Sequence, residues 1–303
     1  MWVLLDNTHS IPSVSVMQEK NLFVPEHFNA RKKLIPKGEG GAFEAVQIMV
    51  ADKQLFHPGF EVSTTHDISG NRTSVRVDEA ATADRNNETA PPSEKAAKRA
   101  AAKLRDYILC NPDMNVFFTL TYNPDTVERT NYTAVISRFN LWWDNQVRRR
   151  GAKYVAVAEY HKDGKSIHFH GLCNDSVKLV DSGTVRCVGH KKPIKHSTAD
   201  RYKIPPTERQ TVYNVLSWHH GFSTAVVCNG SVEAVAAYIG KYITKSGVKV
   251  GGRYYYHGGK LAMPRYEYFN TDYKSFDGAE VAFTENLHAK FLSVNSDLTF
   301  SGK

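Results

Sequence analysis

The chain has 303 residues, of which 41 % are hydrophobic and 23 % charged, with a formal net charge of +8 at pH 7. That apolar content suffices for a sizeable core in one large or two modest domains, and excludes a chain too polar to fold. No apolar run approaches transmembrane length, and the stretch from Met1 to Leu5 is too short for a signal peptide. The four cysteines form no Cys-x-x-Cys pair, which excludes a disulfide framework and makes a reducing cytoplasm the expected setting.

The charge is uneven. Residues 1–93 hold nine Lys/Arg against twelve Asp/Glu, a net −3, whereas the remainder holds 30 against 19, a net +11. A positive catalytic part is what a phosphate-backbone substrate requires, with an affinity that falls as salt rises.

In chain order, residues 1–63 read as an N-terminal extension of unknown role, with scattered apolar runs such as Ala42 to Ala51. Residues 64–93 turn polar, with Asn86-Asn87-Glu88 and Pro91-Pro92, and read as a linker or exposed insertion. Residues 94–275 form the expected catalytic domain and 276–303 a tail. The Ala-rich segment 94–111 is strongly helix-forming, with Lys95, Lys98, Arg99, Lys103 and Arg105 on its surface. Phe117-Phe118-Thr119-Leu120-Thr121-Tyr122 reads as an apolar strand. A helix over 132–147 packs with Phe139, Trp142 and Trp143, and Arg148-Arg149-Arg150 complement its dipole.

The next two strands carry chemistry. Lys153 to Tyr160 and Ile167-His168-Phe169-His170-Gly171-Leu172 flank Asp163-Gly164, a hairpin signal. Period two puts His168 and His170 on one face, with Ile167 and Phe169 on the other. With Asp163 and Gly164 as a two-residue turn, Tyr160 faces Ile167, Glu159 faces His168 and Val157 faces His170. Opposed residues share a face, so Glu159, His168 and His170 form a cluster of two imidazoles and a carboxylate. A one-residue slip would turn Glu159 away.

From Val185 to Arg209, Arg186, Lys191, Lys192, Lys195, Arg201 and Lys203 alternate with prolines, and the segment reads as a long basic loop. Lys191, Lys192, Lys195 and Arg201 are read as DNA contacts. Trp218 with Gly221 suggests a structural corner, and the adjacent His219 and His220 point apart on a strand.

Ser231 N-caps the next predicted helix, Glu233 lies in its first turn, and Gly247 stops it. Val232, Val235, Ala236, Ile239 and Ile243 form its buried stripe. Tyr238 and Tyr242 stand four apart on one side, each followed three residues later by a lysine, Lys241 and Lys245. Phenol is a poor nucleophile at neutral pH, and a metal ion with ammonium groups would favour the phenolate and the charge on an attacked phosphoryl group. Taken singly, a His-x-His strand is more often structural, a Tyr pair beside an apolar stripe is usually core edge, and two lysines near a helix end are usually dipole partners. Their occurrence together and in this order is what the bland readings do not predict.

These motifs resemble a family. Ile-His-Phe-His-Gly-Leu at 167–172 looks like the His-apolar-His (HUH) motif of rolling-circle replication initiators, and Tyr-Ile-Gly-Lys-Tyr-Ile-Thr-Lys at 238–245 resembles the two-tyrosine motif of microvirus and related phage or plasmid initiators. Phe117 to Tyr122 looks like that family's first motif, and the resemblance covers about residues 94–270. It implies an α+β fold, a central antiparallel β-sheet with flanking helices of ferredoxin-like or RRM-like type. It implies nicking and rejoining of single-stranded origin DNA through a 5′-phosphotyrosine, with Tyr238 and Tyr242 as nucleophiles, Lys241 and Lys245 assisting, and Glu159, His168 and His170 holding Mg2+ or Mn2+. Two His and one Glu also suit Zn2+.

Both tyrosines follow the metal motif, which favours an initiator over a relaxase. A two-tyrosine transposase is the second reading, weakened by the missing cysteine cluster. A noncatalytic DNA-binding protein of the same fold and a zinc hydrolase with structural tyrosines are the others. Gly258-Gly259-Lys260 lacks the upstream glycine of a phosphate loop, so a host helicase and polymerase are expected partners, in a bacterial host cytoplasm.

Overall fold

The computed structural model describes residues 27–37, 42–56, 94–161, 163–246, 248–284 and 287–293. The expected linker 64–93 lies outside them. The fold is α+β, with antiparallel sheets and few helices, as expected; it has two sheets where one was foreseen.

The larger sheet has eight strands and follows the central motifs. It contains β3 (Val116–Tyr122), β4 (Tyr154–Tyr160), β5 (Ile167–Cys173), β6 (Leu179–Cys187), β7 (Ile194–Lys195), β8 (Arg209–Val215), β9 (Gly221–Val227) and β10 (Tyr256–Gly258), in the order β10-β4-β5-β3-β9-β8-β6-β7. The burial of β3 alternates strictly, so that Phe118, Leu120 and Tyr122 face one way while Phe117 and Thr119 face the other.

Each face of this sheet is packed differently. Helix α2 (Tyr132–Arg150) lies on the Phe118 face, where Phe139 stacks on Phe169 at 3.8 Å and Trp143 on Tyr154 at 4.0 Å. Its ends are fixed as the sequence suggests. Asn131 accepts a hydrogen bond from the Ala134 amide at its start, and Gly151, at φ 68°, ends it in the left-handed conformation that glycine enters without strain. On the opposite face α1 (Glu94–Leu109) packs beside α4 (Val232–Ser246), burying Leu104, Ile108, Val232, Ala236, Ile239 and Ile243 against Val155, Val157 and Leu172. The five basic residues expected on the surface of α1 are exposed. The predicted stripe of α4 therefore faces inward, which turns Tyr238 toward solvent. Ser231 Oγ accepts from the Ala234 amide as the N-cap, while the expected stop at Gly247 lies outside the described residues.

The second sheet joins distant parts of the chain. β1 (Ala30–Lys37), β2 (Ala42–Ala51), β11 (Arg265–Phe269), β12 (Ala279–Thr284) and β13 (Leu287–Ser293) take the order β11-β1-β2-β13-β12. Strands from the expected extension, from the end of the expected catalytic segment and from the expected tail thus pair with one another. Ile35 and Val46 join the α1 and α4 core, and a Lys33–Asp106 ion pair, largely shielded from solvent, ties β1 to α1.

The basic segment 185–209 is not the long loop expected from its prolines and charges. It forms the end of β6, the short β7, a six-residue helix α3 (His196–Arg201) and a 3-10 turn at Pro206–Glu208. Val185, Cys187 and Ala199 make a small core with Ile194 and Ile204. Those few apolar side chains, spaced among the charges, are what let it fold. All four cysteines are free and buried, and among the described residues no helix is long and apolar enough to cross a membrane.

Candidate metal and tyrosine site

The hairpin register is the one expected. Glu159 pairs with His168, Tyr160 with Ile167 and Val157 with His170. The turn itself is longer than two residues: the His161 amide donates to the Ser166 carbonyl at 2.8 Å, and Gly164, at φ 67°, donates back to the His161 carbonyl at 2.9 Å. Lengthening a loop symmetrically about the same centre leaves the register unchanged. Asp163 holds this loop by accepting from the Ser166 hydroxyl at 2.6 Å and from the Lys165 and Ser166 amides at 2.8 Å each. The Ser166 hydroxyl, then those amides, keep its carboxyl well below the usual carboxylate range.

The register converges three ligand atoms. Glu159 Oε2 lies 3.2 Å from His168 Nε2 and 3.4 Å from His170 Nε2, and the two imidazole nitrogens are 3.1 Å apart. Octahedral ligands at about 2.1 Å from a small divalent ion are spaced by about 3 Å, so these edges fit one ion. Burial, ahead of the neighbouring His168, lowers the His170 pKa to about 4, which leaves its ring neutral at pH 7. Thr119 Oγ1 lies 2.9 Å from His170 Nδ1. Accepting the Nδ1 proton there directs the Nε2 lone pair toward the cluster.

Thr119 was not identified from sequence. Its strand was, but its pairing with His170 depends on β3 docking beside β5, and no short turn fixes that register. The glycine after His170 is also constrained. A Cβ on Gly171 would lie 2.2 Å from the Val155 carbonyl oxygen and 2.6 Å from the Phe118 ring. Gly171→Ala is expected to destabilise the protein by about 1–3 kcal/mol or more, read as a lower thermal midpoint; an unchanged midpoint would contradict this packing.

The tyrosines meet the cluster from α4. The Tyr242 ring stacks on His170 with centroids 4.6 Å apart and planes at 17°, and the Tyr238 and Tyr242 hydroxyls are 2.7 Å apart. Phe117 lies between them, parallel to His170 and edge-on to Tyr238. Burial, then the hydrogen bond to Tyr238 and the Glu159 carboxylate, raise the Tyr242 pKa, against which the Arg186 guanidinium acts. The phenol thus needs added positive charge to ionise.

Part of that charge is at hand. Lys245 lines a cleft of about 650 Å³ with Glu159, His168, Arg129 and His161, whereas Lys241 is exposed on the same helix. Arg129 and His161 were missed from sequence. His161 sits two residues beyond Glu159, its ring 4.2 Å from that of His168, and its Nε2 is buried without a hydrogen-bond partner. Burial, then His168, lower its pKa.

The four expected DNA contacts are not brought to the cluster. Lys191, Lys192, Lys195 and Arg201 occupy the β7 edge, five strands from β5 and about 24 Å away in sheet spacing, all of them exposed.

No curated protein and no solved structure matches the chain. Residues 115–247, less than half of the chain, match the model of a family described as replication-associated protein, ORF2 type. That stretch runs from β3 to the end of α4 and includes every metal and tyrosine residue above, so the match supports a Rep-type protein with a role in initiating replication.

Proposed function

We propose that the protein is a two-tyrosine HUH endonuclease that nicks and rejoins single-stranded origin DNA in rolling-circle replication of a phage or plasmid. The observation that carries this reading is the Tyr238–Tyr242 hydroxyl pair, 2.7 Å apart, with Tyr242 stacked on a ring of the His/Glu cluster. Structural tyrosines at a core edge have no need to converge on such a cluster.

Glu159, His168 and His170 would hold Mg2+ or Mn2+. When bound, the ion supplies positive charge to the scissile phosphate and to a phenolate beside it. One tyrosine oxygen attacks phosphorus, the bond to the 3′ oxygen breaks, and that oxygen leaves with the electron pair and takes up a proton. The 5′ end remains as a phosphotyrosine and the free 3′ hydroxyl can prime a polymerase. Lys245, from its place in the cleft, and Lys241 offset the negative charge that builds on the phosphoryl oxygens. The second tyrosine repeats the attack on the regenerated origin while the first holds the end. Phosphotyrosine keeps the bond energy, so rejoining by a 3′ hydroxyl is nearly isoenergetic.

Lys191, Lys192, Lys195 and Arg201 would bind flanking DNA at the distal edge. A host helicase and polymerase would supply unwinding and synthesis in a bacterial cytoplasm. The test is incubation with labelled single-stranded oligonucleotides that include the source replicon's origin, with Mn2+, on a denaturing gel. A protein band carrying the 3′ segment, lost with chelator, is expected. Binding without any adduct would favour a noncatalytic DNA-binding protein.

A further inference from the structure

Strand register extends the metal face beyond the metal. Glu159, His168, Thr121 and Phe222 are directly opposed in one row across β4, β5, β3 and β9. Opposed residues share a face, and strands are about 4.8 Å apart, so Phe222 stands about 10 Å from His168 on the side away from β4. Its ring is 72 % exposed, although it sits within the sheet rather than in a loop.

The rest of this face is open and uncharged or basic. Thr224, two residues after Phe222, and Asn214 on β8 are exposed, as is Arg186, which pairs with Gln210 further along. Among the side chains that register and alternation put on this face from β3 to β7, none is acidic. Helix α4 covers the neighbouring part, where Tyr242 lies over His170. The Arg186 charge acts on the Tyr242 phenol, so the open face borders the nucleophiles. An exposed aromatic ring flanked by hydroxyl, amide and cationic groups suits an unpaired base and its phosphate, since stacking tolerates any base and a carboxylate-free surface does not repel the backbone.

We propose that this open face is the track on which single-stranded DNA approaches the site, with Phe222 stacking on a base beside the attacked phosphate and Arg186 holding the backbone between that base and Tyr242. This rests on the nuclease reading above for its substrate, but not for its test. Photocross-linking with 5-iodouracil-substituted single-stranded oligonucleotides uses the full chain carrying Tyr238→Phe and Tyr242→Phe, so that no cleavage intervenes. The expected cross-link maps to Phe222. Phe222→Ala removes it and weakens binding by about tenfold or more, whereas Phe222→Trp retains both, and the same sequences as duplex do not compete.

Cross-links confined to the Lys191 to Arg201 edge, with unchanged affinity in Phe222→Ala, would overturn the track. So would a change of oligomeric state in Phe222→Ala without loss of affinity, which would make the ring a protein contact. If the unaltered chain forms no covalent adduct while the Phe222 cross-link persists, the nuclease reading falls and the track stands.

Discussion

Replacing both Tyr238 and Tyr242 with Phe is expected to abolish covalent capture of DNA, a loss of at least about 10,000-fold, while leaving single-strand binding and the thermal midpoint nearly unchanged. The two rings lie on the outward side of α4, whose buried stripe is formed by other residues, so only the hydroxyls are removed. The single variants separate the roles. Each is expected to retain one round of adduct formation through the remaining tyrosine and to lose repeated cleavage and joining, since no second nucleophile is present to attack while the first is occupied. Single-turnover adduct yield against multiple-turnover product measures this. Undiminished turnover in either single variant would mean that one tyrosine suffices, and the hydroxyl pair would lose its significance.

The second large effect is expected at the cluster. His168→Ala and His170→Ala each remove one of three ligand atoms that lie 3.1–3.4 Å apart, and metal-dependent cleavage should fall below detection in both. Thr119→Val keeps all three ligands and removes only the oxygen 2.9 Å from His170 Nδ1. It should weaken Mn2+ binding by about 10- to 100-fold, measured by calorimetry on the protein alone, with cleavage recovered at higher Mn2+. Unchanged Mn2+ affinity in Thr119→Val would show that the hydroxyl does not orient the ring.

The same histidine sets a pH trend without metal. Its pKa is lowered in the fold, from 6.5 to about 4, so the unfolded chain takes up a proton first as pH falls. The contribution of neutral His170 is full above about pH 6.5 and is lost as pH drops toward 4. The urea midpoint of the metal-free protein should therefore be lower at pH 5 than at pH 7, and His170→Ala should flatten that difference.

The sequence by itself determined the parts governed by short range. The pairing of Glu159 with His168 follows from period two and a turn centred between Asp163 and Gly164, because a local hairpin leaves few alternative registers even when its loop is longer than the minimal one. The placing of Tyr238 and Tyr242 beside a buried stripe follows from 3.6-residue periodicity, and the N-caps at Asn131 and Ser231 from side chains that reach amides three residues on. Only the tertiary structure decided what depends on contacts between distant segments. Docking of β3 between β5 and β9 brings Thr119 to His170 and lines Phe222 up with the metal row, and packing of α4 on the sheet stacks Tyr242 on His170. The five-stranded sheet pairs residue 30 with residue 269, a separation at which periodicity carries no register information. The basic segment 185–209 was misread because its charges and prolines outweigh, in composition, the few apolar residues that fold it. Those residues find their partners only once β6 and β8 are side by side.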